Sequence, residues 1–257
     1  MIFHLKLDHY FKPIPLIFLS FSLFIFSGFL PLSATEQLLL SIVPNENSTH
    51  GTMHGYTRKN SQSPWTQSFP STPVNFGKNG LAWGRGLHSP QTGLQKKEGD
   101  GRAPSGRFKI GFAMGYASQL PLGNKQWPYH QVTERDAWID NPLIPEHYNH
   151  LYTLQPNQTP PPWFESQRKR LGDFAYEWKI LIEHNYQNPI PGEGSAIFIH
   201  IRRSEIKPSF GCTVMEKKAL EKLLCWLDPK ATSSDSVLLS EKEYQRLKKE
   251  WELPELY

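Results

Sequence analysis

The fold of this chain depends most on the stretch GSAIFIHIRRSEIKPSFGCTVM, residues 194–215. The apolar residues of Ser195–Ile201 predict a buried strand, and this strand carries His200. A loop follows, in which Gly211 permits a tight turn immediately before Cys212. The stretch therefore predicts a histidine on a central strand and a cysteine that the loop returns to its neighbourhood.

A cysteine acts as a nucleophile when it is a thiolate, which requires a nearby base or a positive field. His200 is the candidate base. Thr213 and Glu216 form a capping-box pattern, which would place Cys212 just outside a helix amino terminus. The backbone N–H groups around Gly211 are candidates for an oxyanion hole. A lone histidine and cysteine twelve positions apart are also common as structural residues.

The sequence on either side of this stretch predicts a mostly β domain. Strands are expected over Glu36–Val43, Gly51–Arg58, Phe174–Glu183 and Ser236–Leu239. Helices are expected over Met215–Leu227 and after Ser240, which would cap a terminal helix together with Glu243. Lys59–Pro73 is predicted to be a surface connection, and residues 120–163 to be an irregular, loop-rich insertion beside the site.

The amino terminus has the pattern of an export signal. Lys6 and Lys12 precede the apolar run Ile14–Leu30, and small residues follow it. We expect residues 1–34 to be a cleaved signal peptide or, through residues 14–30, an uncleaved membrane anchor. Residues 35–240 would then form the catalytic domain, and residues 241–257 a helical tail.

Composition restricts the partners. The 257 residues are 38% hydrophobic and 13% aromatic, with a formal charge of +4, which favours a folded globular protein. No basic cluster is interleaved with aromatic residues, so nucleic acid is not expected as a partner. The histidines are scattered and the two cysteines lack zinc spacing, so no metal is expected. Cys225 falls on the polar face of its predicted helix, directed away from Cys212.

Several stretches along the chain share an ordered pattern with one known family. They are Asn79–Gly84 (NGLAWG), Lys97–Phe108 (KEGDGRAPSGRF), Ile139-Asp140, Tyr148-Asn149, Pro191–His200 (PGEGSAIFIH) and Ser209–Cys212 (SFGC). In these motifs the chain resembles the L,D-transpeptidase family, which has a YkuD-like catalytic domain, and it is most similar to a less-characterised branch of that family. The pattern covers most of the chain after residue 36.

The resemblance implies a sandwich or open-barrel core with one or two flanking helices. It also implies that Cys212 is the nucleophile, that His200 is the base and later the acid, and that Gly211 belongs to the oxyanion loop. Members of the family form a thioester with a peptidoglycan stem peptide and pass the acyl group to an amine. We therefore expect stem peptides as partners, a periplasmic or cell-envelope location, a monomer, and no cofactor.

Two departures from the family pattern concern substrate recognition. Many members have histidine and arginine where this chain has Phe210 and Val214. Phe210 removes a rival base, and the missing arginine leaves open which residue binds a substrate carboxylate; Arg202, Arg203 and Lys207 are candidates. The predicted substrate-binding residues are Ser209, Phe210, Asp140, Tyr148, Asn149 and Arg202.

Three other functions remain open on the sequence alone. Water could hydrolyse the same thioester, which would make the protein an L,D-carboxypeptidase or endopeptidase. A catalytically silent wall-binding module would not use the thiol. A secreted structural protein could join Cys212 and Cys225 in a disulfide.

Overall fold

Strands dominate the computed structural model, which describes residues 35–121, 126–168 and 171–256. They are β1 (Glu36–Val43), β2 (His50–Arg58), β3 (Thr66–Asn75), β4 (Leu81–Trp83), β5 (Ala103–Gly115), β6 (Tyr129–Gln131), β7 (Asp136–Trp138), β8 (Leu151–Thr153), β9 (Trp178–Ile182), β10 (Phe198–Ile201), β11 (Thr213–Met215) and β12 (Ser233–Ser240). The helices are α1 (Phe164–Gln167), α2 (Lys217–Trp226), α3 (Glu241–Leu247) and a 3₁₀ turn at Phe174–Tyr176. The prediction of a mainly β domain is confirmed.

Eight strands form a closed barrel in the order β12-β1-β2-β3-β11-β10-β9-β5. Antiparallel pairing of β5 with β12, from Lys109↔Asp235 to Gly106↔Leu238, closes the ring. The sheet thus closes, whereas the sequence had predicted a sandwich or an open barrel. Closure pairs strands that would otherwise be edges, and it holds β9, β10 and β11 side by side at the candidate site.

Strand β10 has two differently packed faces because side chains alternate along a strand. Ile199 and Ile201 pack in the largest apolar cluster, whereas Phe198 packs in a smaller cluster that also contacts Cys212. His200 lies two positions after Phe198 and therefore shares its face. The larger cluster anchors the strand, and the opposite face carries Phe198 and His200.

Two segments depart from the predicted elements. Most of the expected surface connection, Lys59–Pro73, belongs to strand β3, which pairs with β2 and buries Phe69. The expected strand over Phe174–Glu183 begins only at Trp178. Its first residues form the 3₁₀ turn, because the Asp173 carboxylate accepts a hydrogen bond from the Ala175 N–H at 3.1 Å.

The predicted capping box before α2 is wrong. Thr213 pairs in parallel with Ile199, so the residues after Cys212 form strand β11, and α2 begins only at Lys217. The helix dipole therefore does not act on Cys212 directly, since its effect fades within the first turn. The other predicted cap is confirmed: Ser240 Oγ accepts a hydrogen bond from the Glu243 N–H at 3.4 Å.

The remaining predictions concern the insertion, the cysteines and the amino terminus. Within the insertion, described residues 126–163 form turns and the short strands β6 to β8. Cys212 and Cys225 are not joined by a disulfide, and Cys225 is exposed, so the structural-disulfide alternative is wrong. The predicted export segment, residues 1–34, lies outside the described residues. No helix within the described ranges has the length and apolarity needed to cross a membrane.

Candidate active site

A cavity of about 460 Å³ opens at the ends of strands β9, β10 and β11. One part of its wall is formed by Cys212, Gly211, Phe210, Phe198, Tyr176 and Lys179. Another part carries Lys96, Glu98, Ser195 and Asp140. The volume suits a small ligand or a peptide segment, and the lining combines apolar surface with charged groups.

Cys212 lies at the cavity wall, in the loop that leads into β11. The residue is half-buried, and its Sγ donates a hydrogen bond to the Ala196 carbonyl oxygen at 3.4 Å. The parallel register Ile199↔Thr213 places Cys212 level with Phe198, and Cys212 packs against the apolar cluster that contains Phe198. The thiol therefore lines a space into which an acyl carbon can enter.

His200 is buried on the same face of β10, with 6% of its surface exposed. Its Nδ1 lies 3.1 Å from the Ala175 carbonyl oxygen and 3.0 Å from that of Ile201. Because carbonyl oxygens only accept, Nδ1 carries the ring proton and Nε2 is the acceptor in the neutral ring. Nε2 is therefore the ring nitrogen that can act as a base.

The charge state of His200 follows from its surroundings. Burial lowers its pKa to about 4, outweighing the two backbone carbonyls, and the nearby Lys179 and Arg203 lower it further. The ring is neutral at pH 7 as a result. His200 is therefore suited to accept a proton during the reaction rather than to carry one beforehand.

Tyr176 connects the two candidate catalytic residues. Its ring centroid lies 4.8 Å from that of His200. Burial raises the pKa of Tyr176, and the second cause of the increase is the charge of Cys212. The Tyr176 ring therefore packs against His200, and its hydroxyl interacts electrostatically with Cys212.

The cysteine loop is held by its own side chains. Ser209 Oγ donates to the Cys212 carbonyl at 2.5 Å and accepts from the Gly211 N–H at 3.0 Å. Gly211 has a φ of 146°, and a Cβ there would lie 2.9 Å from the Arg102 carbonyl oxygen, so glycine is required. Ser209 thus stabilises the shape of this loop, and its predicted contact with substrate stays a prediction. The Gly211 N–H, predicted for the oxyanion hole, is bonded to Ser209.

The other predicted residues of the cavity lie at its rim. Phe210 is 76% exposed, and the Lys78 ammonium lies 4.5 Å from its ring centroid. Asp140 also lines the cavity, held by a hydrogen bond from its backbone N–H to Gln167 Oε1 at 2.8 Å. Both positions agree with a role in contacting a bound ligand.

The candidate arginines are placed differently. Arg202 is not among the residues that line the cavity, and its guanidinium lies 3.8 Å from the Glu205 carboxylate. Arg203 pairs with Asp173 at 2.5 Å. The prediction that Arg202 binds substrate is therefore not supported by its position.

Asn149 is buried, and its side chain forms hydrogen bonds with backbone groups. Its Oδ1 accepts from the Ala196 N–H at 2.9 Å, and its Nδ2 donates to the carbonyls of His184 and Asn185 at 3.0 and 2.7 Å. Ala196 has a φ of 54°, an unfavourable conformation for a residue with a Cβ. Asn149 thus positions the residue whose carbonyl oxygen accepts from Cys212. It is buried and is not among the residues that line the cavity, and its predicted contact with substrate stays a prediction.

Replacing Asn149 by alanine should lower the free energy of unfolding by about 2–4 kcal/mol, because buried backbone groups lose their partners. Urea denaturation of the two proteins measures the difference. Asn157→Ala is the matched control. Like Asn149, Asn157 has a positive φ, in its case 64°, but its side chain is exposed. Equal destabilisation by both substitutions would show that backbone strain, and not the hydrogen bonds, accounts for the effect.

Sequence reasoning missed the polar cluster around Glu98. Glu98 Oε2 accepts hydrogen bonds from Ser195 Oγ at 2.7 Å and from the buried Tyr148 hydroxyl. Burial raises the pKa of Tyr148, so this hydroxyl remains a donor. Tyr148 therefore donates a hydrogen bond to a carboxylate that lines the cavity, while its predicted contact with substrate stays a prediction. The available signal was an acidic residue within the glycine-rich run Lys97–Phe108.

Lys179 was also missed, although it is a lysine within the otherwise apolar strand WKILI.

Comparison with known proteins gives no match to a family model, a curated protein or a solved structure. A functional assignment therefore depends on the residues and geometry described above.

Proposed function

We propose that this protein is a peptidoglycan L,D-transpeptidase with an L,D-transpeptidase-like fold. The observation that carries the proposal is the placement of Cys212 at a cavity wall, on the same sheet face as His200. The two backbone carbonyls at Nδ1 leave Nε2 of His200 as the basic nitrogen. A thiol in a cavity with a neutral, oriented imidazole on the same face is the combination that acyl transfer requires.

In the proposed reaction, Cys212 Sγ attacks the carbonyl carbon of the diamino-acid residue of a stem tetrapeptide, at the amide bond that joins this residue to the terminal one. The thiol proton passes to His200 Nε2 and then to the leaving amine, as the C–N bond breaks and a thioester forms. An acceptor amine next attacks the thioester and gives its proton to His200. The new amide leaves, and the proton returns to the thiolate, which restores the enzyme.

The proposal includes a location in the cell envelope, since the substrate is found there. Residues 1–34 would serve as the export signal or as the anchor. The thiol and the imidazole supply the nucleophile and the base, so the proposed mechanism requires no metal or cofactor.

The test is incubation of the full-length protein, purified in a mild detergent, with stem tetrapeptides, followed by mass spectrometry. We expect a protein adduct of the mass of the acyl tripeptide and a cross-linked dimer of stem peptides. Tripeptide without dimer would instead indicate hydrolysis, the L,D-carboxypeptidase reaction. Unchanged peptide and unmodified protein would contradict the proposal and favour a silent wall-binding module.

A further inference from the structure

The 3₁₀ turn Phe174–Tyr176 contacts the imidazole of His200 in two ways. The carbonyl oxygen of Ala175, in the middle of the turn, lies 3.1 Å from His200 Nδ1. The ring of Tyr176 packs on the imidazole at a centroid distance of 4.8 Å. The turn therefore contributes both to the tautomer of His200 and to the orientation of its ring.

Asp173 fixes the start of this turn. Its carboxylate accepts a hydrogen bond from the Ala175 N–H at 3.1 Å, so it holds the residue whose carbonyl oxygen accepts from His200. The Tyr116 hydroxyl, just beyond the end of β5, donates to the Asp173 carbonyl oxygen at 3.1 Å. Because 3₁₀ hydrogen bonds have poor geometry, so short a turn depends on such contacts with its surroundings.

Arg203 joins the turn to the strand that carries His200. It lies two positions after the end of β10, and its guanidinium pairs with the Asp173 carboxylate at 2.5 Å. The guanidinium carbon also lies 5.8 Å from the centroid of the Phe174 ring and 5.9 Å from that of Tyr176, within the range of cation–π attraction. One side chain thus holds the start of the turn and both of its aromatic rings.

We propose that the Asp173–Arg203 ion pair positions His200 as the base for Cys212, by holding the turn against the end of β10. The inference rests on the proposed function for the role of His200, and not for the identity of the substrate. The side chains of Asp173 and Arg203 are 30% and 40% exposed. Such a pair contributes little to the free energy of unfolding, so its loss should affect the placement of the base more than overall stability.

The charges around the imidazole act in the same direction. Burial is the largest cause that lowers the pKa of His200, and the charges of Lys179 on β9 and of Arg203 lower it further. The pKa of Asp173 is lowered mainly by Arg203 and also by the charge of His200, so this carboxylate attracts the protonated ring. Tyr176, the titratable group of the turn itself, is neutral at pH 7 because burial raises its pKa. Removing Asp173 would release the turn and leave Arg203 to oppose protonation of the ring.

Alkylation of Cys212 by iodoacetamide tests the proposal in the full-length protein without any peptide. Mass spectrometry of the digested protein gives the rate at Cys212 relative to that at exposed Cys225. We expect Asp173→Ala to lower this ratio about tenfold near pH 6, where the thiol needs a base. At about pH 10 the ratio should stay within about twofold of the wild type, because the thiolate forms there without a base. An equal fall at both pH values in folded protein would contradict the proposal.

Two further variants separate the ion pair from other effects. In Asp173→Asn the amide oxygen can still accept from the Ala175 N–H but the ion pair is lost, so a fall of about threefold near pH 6 is expected. Glu165→Ala is the matched control, because it also removes one carboxylate from an ion pair at the cavity, with Arg168 at 3.0 Å, but lies on α1. An equal fall in this control would show that cavity charge alone determines the reactivity, and the proposal would be wrong.

A double variant shows whether Asp173 acts through His200. Added to His200→Gln, the substitution Asp173→Ala should change the ratio near pH 6 by less than about twofold, because no base remains to be positioned. A further tenfold fall would mean that Asp173 acts on the thiol directly, and would overturn the proposal. If His200→Gln lowers the ratio and neither variant of Asp173 does, the base assignment stands and the positioning role is refuted.

Peptide kinetics separate this inference from the transpeptidase assignment. With the stem tetrapeptide, Asp173→Ala should lower kcat about tenfold and leave KM nearly unchanged, because the base acts in the transition state. If the alkylation ratios change as expected but no peptide reacts, the positioning role stands and the transpeptidase assignment fails. If His200→Gln leaves the ratio at the wild-type value, the base assignment fails and this inference fails with it.

Discussion

Cys212→Ala is expected to lower the rate of acyl transfer by about 10⁴-fold or more, because no other group replaces the sulfur in the covalent step. The fold should persist. The loop is held by Ser209 through the backbone of Gly211 and Cys212, and alanine preserves that backbone. The measurement is dimer formation from stem tetrapeptides, together with the mass of the protein after incubation.

Cys225→Ala is the matched control, because it removes the other thiol of the chain from an exposed helix position. Its activity and thermal unfolding should equal those of the wild type. Retention of the wild-type rate in Cys212→Ala would end the assignment of the nucleophile. An equal loss of activity in both variants would indicate that thiol content, and not the position of Cys212, determines the rate.

His200→Ala is expected to slow thioester formation by about 10²–10⁴-fold, the usual contribution of a positioned base. His200→Gln should be similarly slow while filling more of the buried space. Its amide can still donate to the carbonyls of Ala175 and Ile201, so it separates loss of the base from loss of packing. Circular dichroism of both variants shows whether the fold is retained.

The reactivity of Cys212 toward iodoacetamide as a function of pH tests the same role without a substrate. In the wild type, the neutral His200 ring can accept the thiol proton down to pH values near its pKa of about 4. The variants should therefore react more slowly than the wild type in mildly acidic solution. Superimposable profiles, both titrating like an ordinary cysteine, would remove the assignment of the base.

Folding must be checked in the acidic part of that experiment. The pKa of histidine in the unfolded chain is near 6.5, and that of His200 in the folded protein is about 4. Between these values the unfolded chain binds the additional proton, so the stability that comes from the neutral ring is lost as the pH falls. Rates below about pH 5 are meaningful only where the protein remains folded.

One strand that the sequence predicted with its observed bounds is β1. Glu36–Val43 has the bounds that its apolar run indicated, and in it only Glu36 and Ile42 are less than fully buried. Strand β3 escaped prediction because its polar residues and its prolines, Pro70 and Pro73, are typical of loops. Its pairing with β2 and the closure of the barrel, and not local preference, make it a strand.

The candidate site likewise contains residues that the sequence could place and residues that it could not. Placing His200 and Cys212 on neighbouring strands of one sheet required only a strand and a short return loop, both visible in one continuous stretch. Glu98, by contrast, meets Tyr148 and Ser195 across separations of 50 and 97 positions. Such contacts arise from the order of strands around the barrel, which no local pattern of residues encodes. Asn149 was noticed as a polar residue, but its structural role became evident only from its partners.

The position of the last strand has a consequence for how the chain acquires its fold. Strand β12 lies between β1 and β5, and the Thr232 hydroxyl bonds to the Thr35 carbonyl 197 positions earlier. During synthesis, the ring stays incomplete until Ser233–Ser240 is available. Until then, β1 and β5 each have an edge that another chain could pair with. Such distant pairings make folding slow, so a newly made chain is exposed to aggregation for longer than a protein closed by local contacts.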